Sequence, residues 1–194
     1  MRVSKEKAEE NRQQILTAAA RLFRERGVSA TGVDAIAEDA GLTHGAVYSQ
    51  FGSKDAIVTE AIRLTLRSAH HLWQRIADRK GSGRAFAAIV NQYLSRNHRD
   101  DAGHGCVLAT LGSEIARQSD DLRDTLTEEL TRSLEFLAGL LQSEDRSRSY
   151  DDAIVAFAAM VGALMIARAV NNETLSDHIL KTTAKRLVDC SRRE

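Results

Sequence analysis

Between Thr31 and Lys54 the chain reads TGVDAIAEDAGLTHGAVYSQFGSK, and few folds accept such a stretch. Val33, Ile36, Ala37 and Ala40 recur at i, i+3, i+4 and i+7, which lays an apolar stripe along one face of a short helix. Gly41 follows where a helix end takes a left-handed residue. Thr43 is placed to cap a second helix, on which Val47 and Phe51 share one side. Two short helices about one tight turn form a helix-turn-helix, whose second member can enter a DNA major groove.

That second helix, expected over Thr43 to Gln50, has an unusual face. Glycine in a helix costs ~1 kcal/mol against alanine, yet Gly45 sits in the first turn. Gly45 and Ala46 leave little bulk there, so the backbone can approach a phosphate or a base edge. His44, Tyr48, Ser49 and Gln50 offer hydrogen-bonding tips beside them. Ser53 is placed to cap the next helix, with Lys54 in its first turn facing a phosphate. The pattern also fits a plain solvated helical hairpin in which Tyr48 only packs.

From Asn11 to Ile57 the chain resembles the DNA-binding domain of the TetR family of bacterial transcriptional regulators. The matching pieces are RQQILTAAARLFRERG and TGVDAIAEDAGLTHGAVYSQFGSKDAI. Two positions depart from the family pattern: Gly32 stands where a second Thr is frequent, and His44 where Lys is frequent. The resemblance implies a homodimer on a palindromic operator in double-stranded DNA, with recognition helices in successive major grooves roughly 34–36 Å apart. It also implies a repressor that a small-molecule inducer releases by moving the helix after the helix-turn-helix. The residues expected to face DNA are Thr31, Thr43, His44, Gly45, Ala46, Tyr48, Ser49 and Lys54.

With no proline, 5 % aromatic residues and abundant Ala, Leu, Arg and Glu, the chain reads as all-α, and its 194 residues allow one or two domains. A helix-turn-helix DNA-binding domain is expected over residues 1–55, and a helical ligand-binding and dimerisation domain over residues 56–194. The boundary falls within a long helix, about Lys54 to Arg79, that would span ~39 Å, and not in a flexible linker. Net charge is zero overall. Within residues 1–55 eight basic side chains are matched by eight acidic ones. Nonspecific coating of DNA, which relies on bulk positive charge, is thereby disfavoured. Cys106 and Cys190 do not make a disulfide framework, and MRVSKEKAEENRQQ lacks the apolar run of a signal peptide, so a reducing cytoplasm is the expected location. Residues 1 to about 9 read as a charged tail whose Arg2, Lys5 and Lys7 can reach phosphates or solvent alike.

Further helices are expected over about Arg84–Ser95, Cys106–Gln118, Ser119–Leu141, Ala153–Ala167 and Leu175–Ser191, with RNHRDDAGHG and EDRSRS as loops. Ser119 before Asp120 and Asp121 is a helix start. AIVAFAAMVGALMIA, Ala153 to Ala167, carries no charge and must be buried all round, yet is too short for a bilayer, which takes ~20 residues. Ile154, Phe157, Val161 and Leu164 would pack on their own subunit. Val155, Ala159, Gly162 and Ile166, with Ile179 and Leu187, would meet a second copy. An inducer pocket is expected among Trp73, Phe86, Tyr93, Cys106, Leu111, Phe136 and Met160, a set equally suited to a plain core.

His98, His104 and Cys106 lack the repeated spacing of a metal site, and no metal or cofactor is expected. Cys106 follows His-Gly and opens a helix, a setting in which thiols become reactive, with His104 and Arg99 nearby in sequence. GCVLATLGSEIA resembles the corresponding segment of TetR-type regulators that sense electrophiles or oxidants through a cysteine. A small buried hydrophobe is the other reading of Cys106. An alternative function, a helical enzyme with a Cys106–His104 nucleophile pair and an appended helix-turn-helix, lacks any assignable oxyanion or Asn/Asp partner.

Overall fold

The computed structural model describes residues 5–141 and 146–191. Ten α-helices are present among them, with a 3-10 turn and no strand. The first helix, α1 (Lys5–Arg26), begins earlier than the charged tail led one to expect, because KEKAEENRQQ is composed of good helix formers and Lys7 pairs with Glu10 at 2.8 Å. Lys5 and Lys7 therefore stand on a helix; Arg2 lies outside the described residues. Ile15, Ala18, Ala19, Leu22 and Phe23 are buried at the expected spacing. Gly27 ends the helix at φ 86°.

α2 (Val33–Asp39) and α3 (His44–Phe51) cross α1, and α4 (Lys54–Lys80) leaves this bundle. Their core does not close at residue 55. Val107, Leu111 and Ile115 from α7 (Val107–Ile115) and Leu122 from α8 (Asp120–Leu140) belong to the same hydrophobic cluster. A second cluster joins Trp73 of α4 to α5 (Ser82–Tyr93), α9 (Arg146–Ala169) and α10 (Glu173–Cys190). The two clusters share α4.

Several boundaries differ from the sequence expectation. RNHRDDAGHG is not an open loop: it contains α6 (Arg96–Asp100), capped by Ser95, and a 3-10 turn (Ala102–His104), capped by Asp101. Both are single-turn elements, too short to leave a periodicity. α7 ends at Ile115. Ser119 precedes α8 without a side-chain cap bond, so Asp120 and Asp121 in the first turn mark that end. In EDRSRS, Arg146 to Ser149 are helical, while Glu144 and Asp145 lie outside the described residues.

α9 is buried on one side only. Ala153, Ala156, Met160, Ala163, Leu164 and Ala167 are covered, whereas Ile154, Val155, Met165 and Ile166 are exposed. The expectation that Ile154 packs inside its own subunit is thus overturned, since it turns away from Leu164 and lies beside Val155. The helix is also longer than its charge-free run: Ser147–Ala169 is long and apolar enough to cross a membrane by length and composition. Its covered side packs on α8 and α10, as a core helix does.

Polar ties fix the rest. Asp177 of α10 receives Arg99 at 3.0 Å and also pairs with Arg96, which fastens α6. Between α4 and α8, Glu129 is 2 % exposed and accepts from Arg67 at 2.7 Å and Arg132 at 2.6 Å. Burial alone would raise its carboxyl pKa, but the hydrogen bond and charge of Arg67, then those of Arg132, outweigh it and hold it below the ordinary glutamate value. A lowered folded pKa contributes stability that is complete above the unfolded value and lost as pH falls through the folded one. Glu129→Gln is therefore expected to lose about 1.5–3 kcal/mol at neutral pH. Urea unfolding between about pH 6 and pH 3 should show a flatter acid limb for the variant. Parallel curves for variant and wild type would contradict the assignment.

Candidate nucleic-acid interface

The turn between α2 and α3 is built from short-range bonds. Gly41, at φ 66°, donates to the Glu38 carbonyl at 3.0 Å, and Leu42 donates to Ala37 at 2.9 Å. The Thr43 hydroxyl accepts from the Ala46 N–H at 3.3 Å, and the Ser53 hydroxyl from the Ala56 N–H at 3.1 Å. Both expected caps are in place. Val47 is fully buried, and this turns the opposite side of α3 outward.

On that outward side stand Thr43, His44, Gly45, Tyr48 and Ser49, with Ala46 half-buried. Tyr48 is 41 % exposed, and its ring lies 4.8 Å from the His44 ring. Nothing lies within 4 Å of where a Cβ on Gly45 would be, so the backbone there is open to close approach. Ser49 donates its hydroxyl proton to the Ala46 carbonyl at 2.8 Å. Asp34 of α2 pairs with Nδ1 of His44, so the imidazole is oriented before any DNA arrives.

Two expected DNA contacts are placed otherwise. Thr31 is 0 % exposed and donates to the Gly27 carbonyl at 2.7 Å, so it closes the α1–α2 turn and does not face DNA. Gly32, not a threonine, is the residue capping α2. Lys54 donates to the Val28 carbonyl at 2.8 Å, which commits one of its three protons to the same turn and leaves two.

Sequence reasoning missed Arg12. Its guanidinium donates to the Gln50 carbonyl at 3.2 Å, pairs with Glu60 and lies 4.3 Å over the Phe51 ring. One side chain thus holds the C-terminal end of α3 against α1 and α4. Its partners lie 38 and 48 residues away, and no local pattern announces them. Glu114 of α7 was missed for the same reason: its carboxylate accepts from the Val28 N–H at 2.9 Å and the Ser29 N–H at 3.4 Å.

Farther from α3, a cavity of about 480 Å³ opens between α1, α4, α5 and the turn before α7. Trp73, Tyr93 and Cys106 line it. Phe86, Leu111 and Met160 do not; they are closed core. Phe136 packs on the His70 ring at 5.2 Å instead. Leu64, Ser68 and Leu72 of α4 face the cavity. His98 donates from Nδ1 to the Tyr93 carbonyl at 2.7 Å, and its Nε2 accepts from the Cys106 N–H at 2.9 Å. Burial lowers its pKa, which suits that neutral tautomer. His104 turns to Asp101 at 2.9 Å, so the Cys106–His104 pair of the enzyme alternative is not assembled.

Residues 15–61 match the model of the bacterial regulatory proteins, tetR family. The HTH-type transcriptional repressor KstR2 of Rhodococcus jostii is 31 % identical over 141 residues, which cover 72 % of this chain and 67 % of that one. The chain belongs to the TetR family of bacterial transcriptional regulators. The HTH-type transcriptional regulator AcrR of Shigella flexneri is 44 % identical over 64 residues, covering 33 % of this chain and 30 % of that one. The match therefore spans less than a third of that relative's length. The crystal structure of reduced E. coli NemR superposes with a TM-score of 0.78 over 93 % of this chain and 96 % of that one. At 19 % identity that likeness concerns the fold.

α3 stands second in the helix-turn-helix, the position of the helix that can enter a major groove, and its exposed side chains sort by reach. Tyr48→Phe and Lys54→Ala are expected to weaken all duplexes alike, with Lys54→Ala flattening the salt dependence by about one charge. His44→Ala is expected instead to relax preference at one base position. Titrating labelled duplexes at several salt concentrations checks both. An unchanged slope in Lys54→Ala would leave its ammonium as a tie to Val28 and nothing more.

Proposed function

We propose that this TetR-family protein is a homodimeric repressor that leaves a palindromic operator when a small molecule enters its helical C-terminal part. In this reading residues 1–55 bind DNA, residues 56–194 bind ligand and a second copy, and the protein acts in the cytoplasm, where operator DNA is. The observation that carries the reading is the outward face of α3, which is exposed, pre-oriented and small enough at Gly45 for backbone approach. Selection of bound sequences from random duplex DNA tests it. Enrichment of an inverted repeat with half-sites about one helical turn apart is expected, and recovery of a lone half-site would overturn the dimer.

The dimer reading is supported by the bare side of α9. Val155 is 64 % and Ile166 54 % exposed, with Ile154, Met165 and Leu175 exposed around them. Ala159 and Gly162 are half-buried between, Ile179 and Leu187 lie partly covered on α10, and a Cβ at Gly162 would meet nothing within 4 Å. An apolar face of this kind, made low by small residues, suits close packing of an identical helix. Burying an unpaired charge in such a face is strongly unfavourable. Gly162→Glu and Ala159→Arg are therefore expected to give monomers that lose operator binding, as read by sedimentation and duplex titration. A folded, dimeric Gly162→Glu protein would exclude this face.

A covalent route to release is a second reading, favoured by the place of Cys106 in the cavity wall. Release from operator by a quinone, an aldehyde or hypochlorite in the wild type, but not in Cys106→Ser, is its expected mark. Equal response in both proteins would leave non-covalent induction alone.

A further inference from the structure

One wall of the cavity beside Cys106 is the DNA-binding domain itself. Gln13, Thr17, Ala20, Arg21 and Arg24 of α1 line it opposite α4. The other side is aromatic: Trp73 stands edge-on to Phe157 at 6.0 Å, and Tyr93 lies 6.4 Å from Phe157. At about 480 Å³ the space suits a ligand of small-molecule size.

The charges around it are unequal. Arg21 is answered by Glu25 and Asp39. Arg24, half-buried, has no carboxylate partner among the described residues. It donates to the Gly103 carbonyl at 2.7 Å and to the Thr65 hydroxyl at 2.5 Å, both neutral. Burial presses this guanidinium down to about 10, against the pull of Cys106, Asp101 and Glu25. Tyr93, only 3 % exposed, also lacks an acceptor, because its buried hydroxyl makes no hydrogen bond of ordinary geometry. Its neighbour is the Cys106 thiol, a weak acceptor at best. A cation with no carboxylate in contact and a buried donor without an acceptor thus belong to residues that border one cavity whose far side is apolar. Such groups are costly unless something arrives to meet them.

We propose that the cavity takes an amphiphilic carboxylate, its anionic end held by Arg24 with Tyr93 donating, and its apolar body lying on Trp73 and Phe157. This rests on the ligand-responsive reading given above and adds the chemical class of the ligand. It also puts the ligand in direct touch with α1, so occupancy acts on the helix against which α2 and α3 pack.

The test uses the full-length protein and matched probes: 2-naphthoate against 2-naphthamide, and decanoate against decan-1-ol. Calorimetry is expected to show each carboxylate binding at least tenfold more tightly than its neutral partner, with parallel release of operator. Arg24→Gln should erase that preference while leaving the neutral probes unchanged. Because Arg24 also ties α1 to Gly103, Tyr93→Phe serves as a second variant; it removes only a hydroxyl and should weaken the carboxylates several-fold without lowering the thermal midpoint. Neutral probes that bind and release operator as well as the acids would overturn the anion site and leave the ligand-responsive reading standing. A preference for acid that survives in Arg24→Gln would overturn the assignment to Arg24. No binding by any of the four would overturn the cavity as an inducer site.

Discussion

The N-terminal bundle of this protein does not bury its core by itself. Its three helices form a unit near the small end of the domain range, where little apolar surface is covered from within. The missing cover comes from Val107, Leu111 and Ile115, about fifty residues on from the end of the bundle. Two features of the turn between α1 and α2 are tied to that dependence. Glu114, on the same helix, must meet Val28 and Ser29 for α7 to sit where it does. Gly27 must remain glycine, since its φ is positive and a Cβ there would come within 2.8 Å of the Glu114 carboxylate.

Balanced charge makes placement decisive. With as many acids as bases near the recognition helix, attraction to DNA has to come from which side each charge takes. Arg12 and Arg21 are paired inside the protein, with Glu60 and with Glu25 and Asp39, and Arg24 turns to Gly103 and Thr65 at the cavity wall, away from α3. In the proposed reading, recognition then falls to the exposed groups of α3, most of them uncharged, with Lys54 beside them. Preference between sequences is then expected to outweigh general affinity for phosphate.

Much of this was legible in the chain. Strong periodicity gave the helices their type and rough extent, and the caps at Thr43 and Ser53 stood where side-chain chemistry demanded. What failed was whatever needed knowledge of distant neighbours. Thr31 was expected at DNA through the family resemblance, yet the Gly27 carbonyl lies within reach of its hydroxyl and takes it inside. Lys54 gave no sign in the sequence of its bond to the Val28 carbonyl, which engages one of its three protons and leaves two for a phosphate. The pocket was drawn from large apolar side chains, which mark a core as readily as a cavity. Its polar wall came from the outward face of α1, where a solvated surface and a binding surface have the same composition.

The shared core has a consequence for how such regulators can be recombined. Splicing at the apparent domain edge, between residues 55 and 56, would pair one α1 with a foreign α7 and leave two apolar surfaces that were never shaped for each other. A working transplant of DNA specificity should instead exchange only the outer skin of α3, from His44 to Ser49, where a single buried side chain, Val47, touches the interior. The unit of inheritance for operator choice would then be a helix face of a few residues, and not a domain.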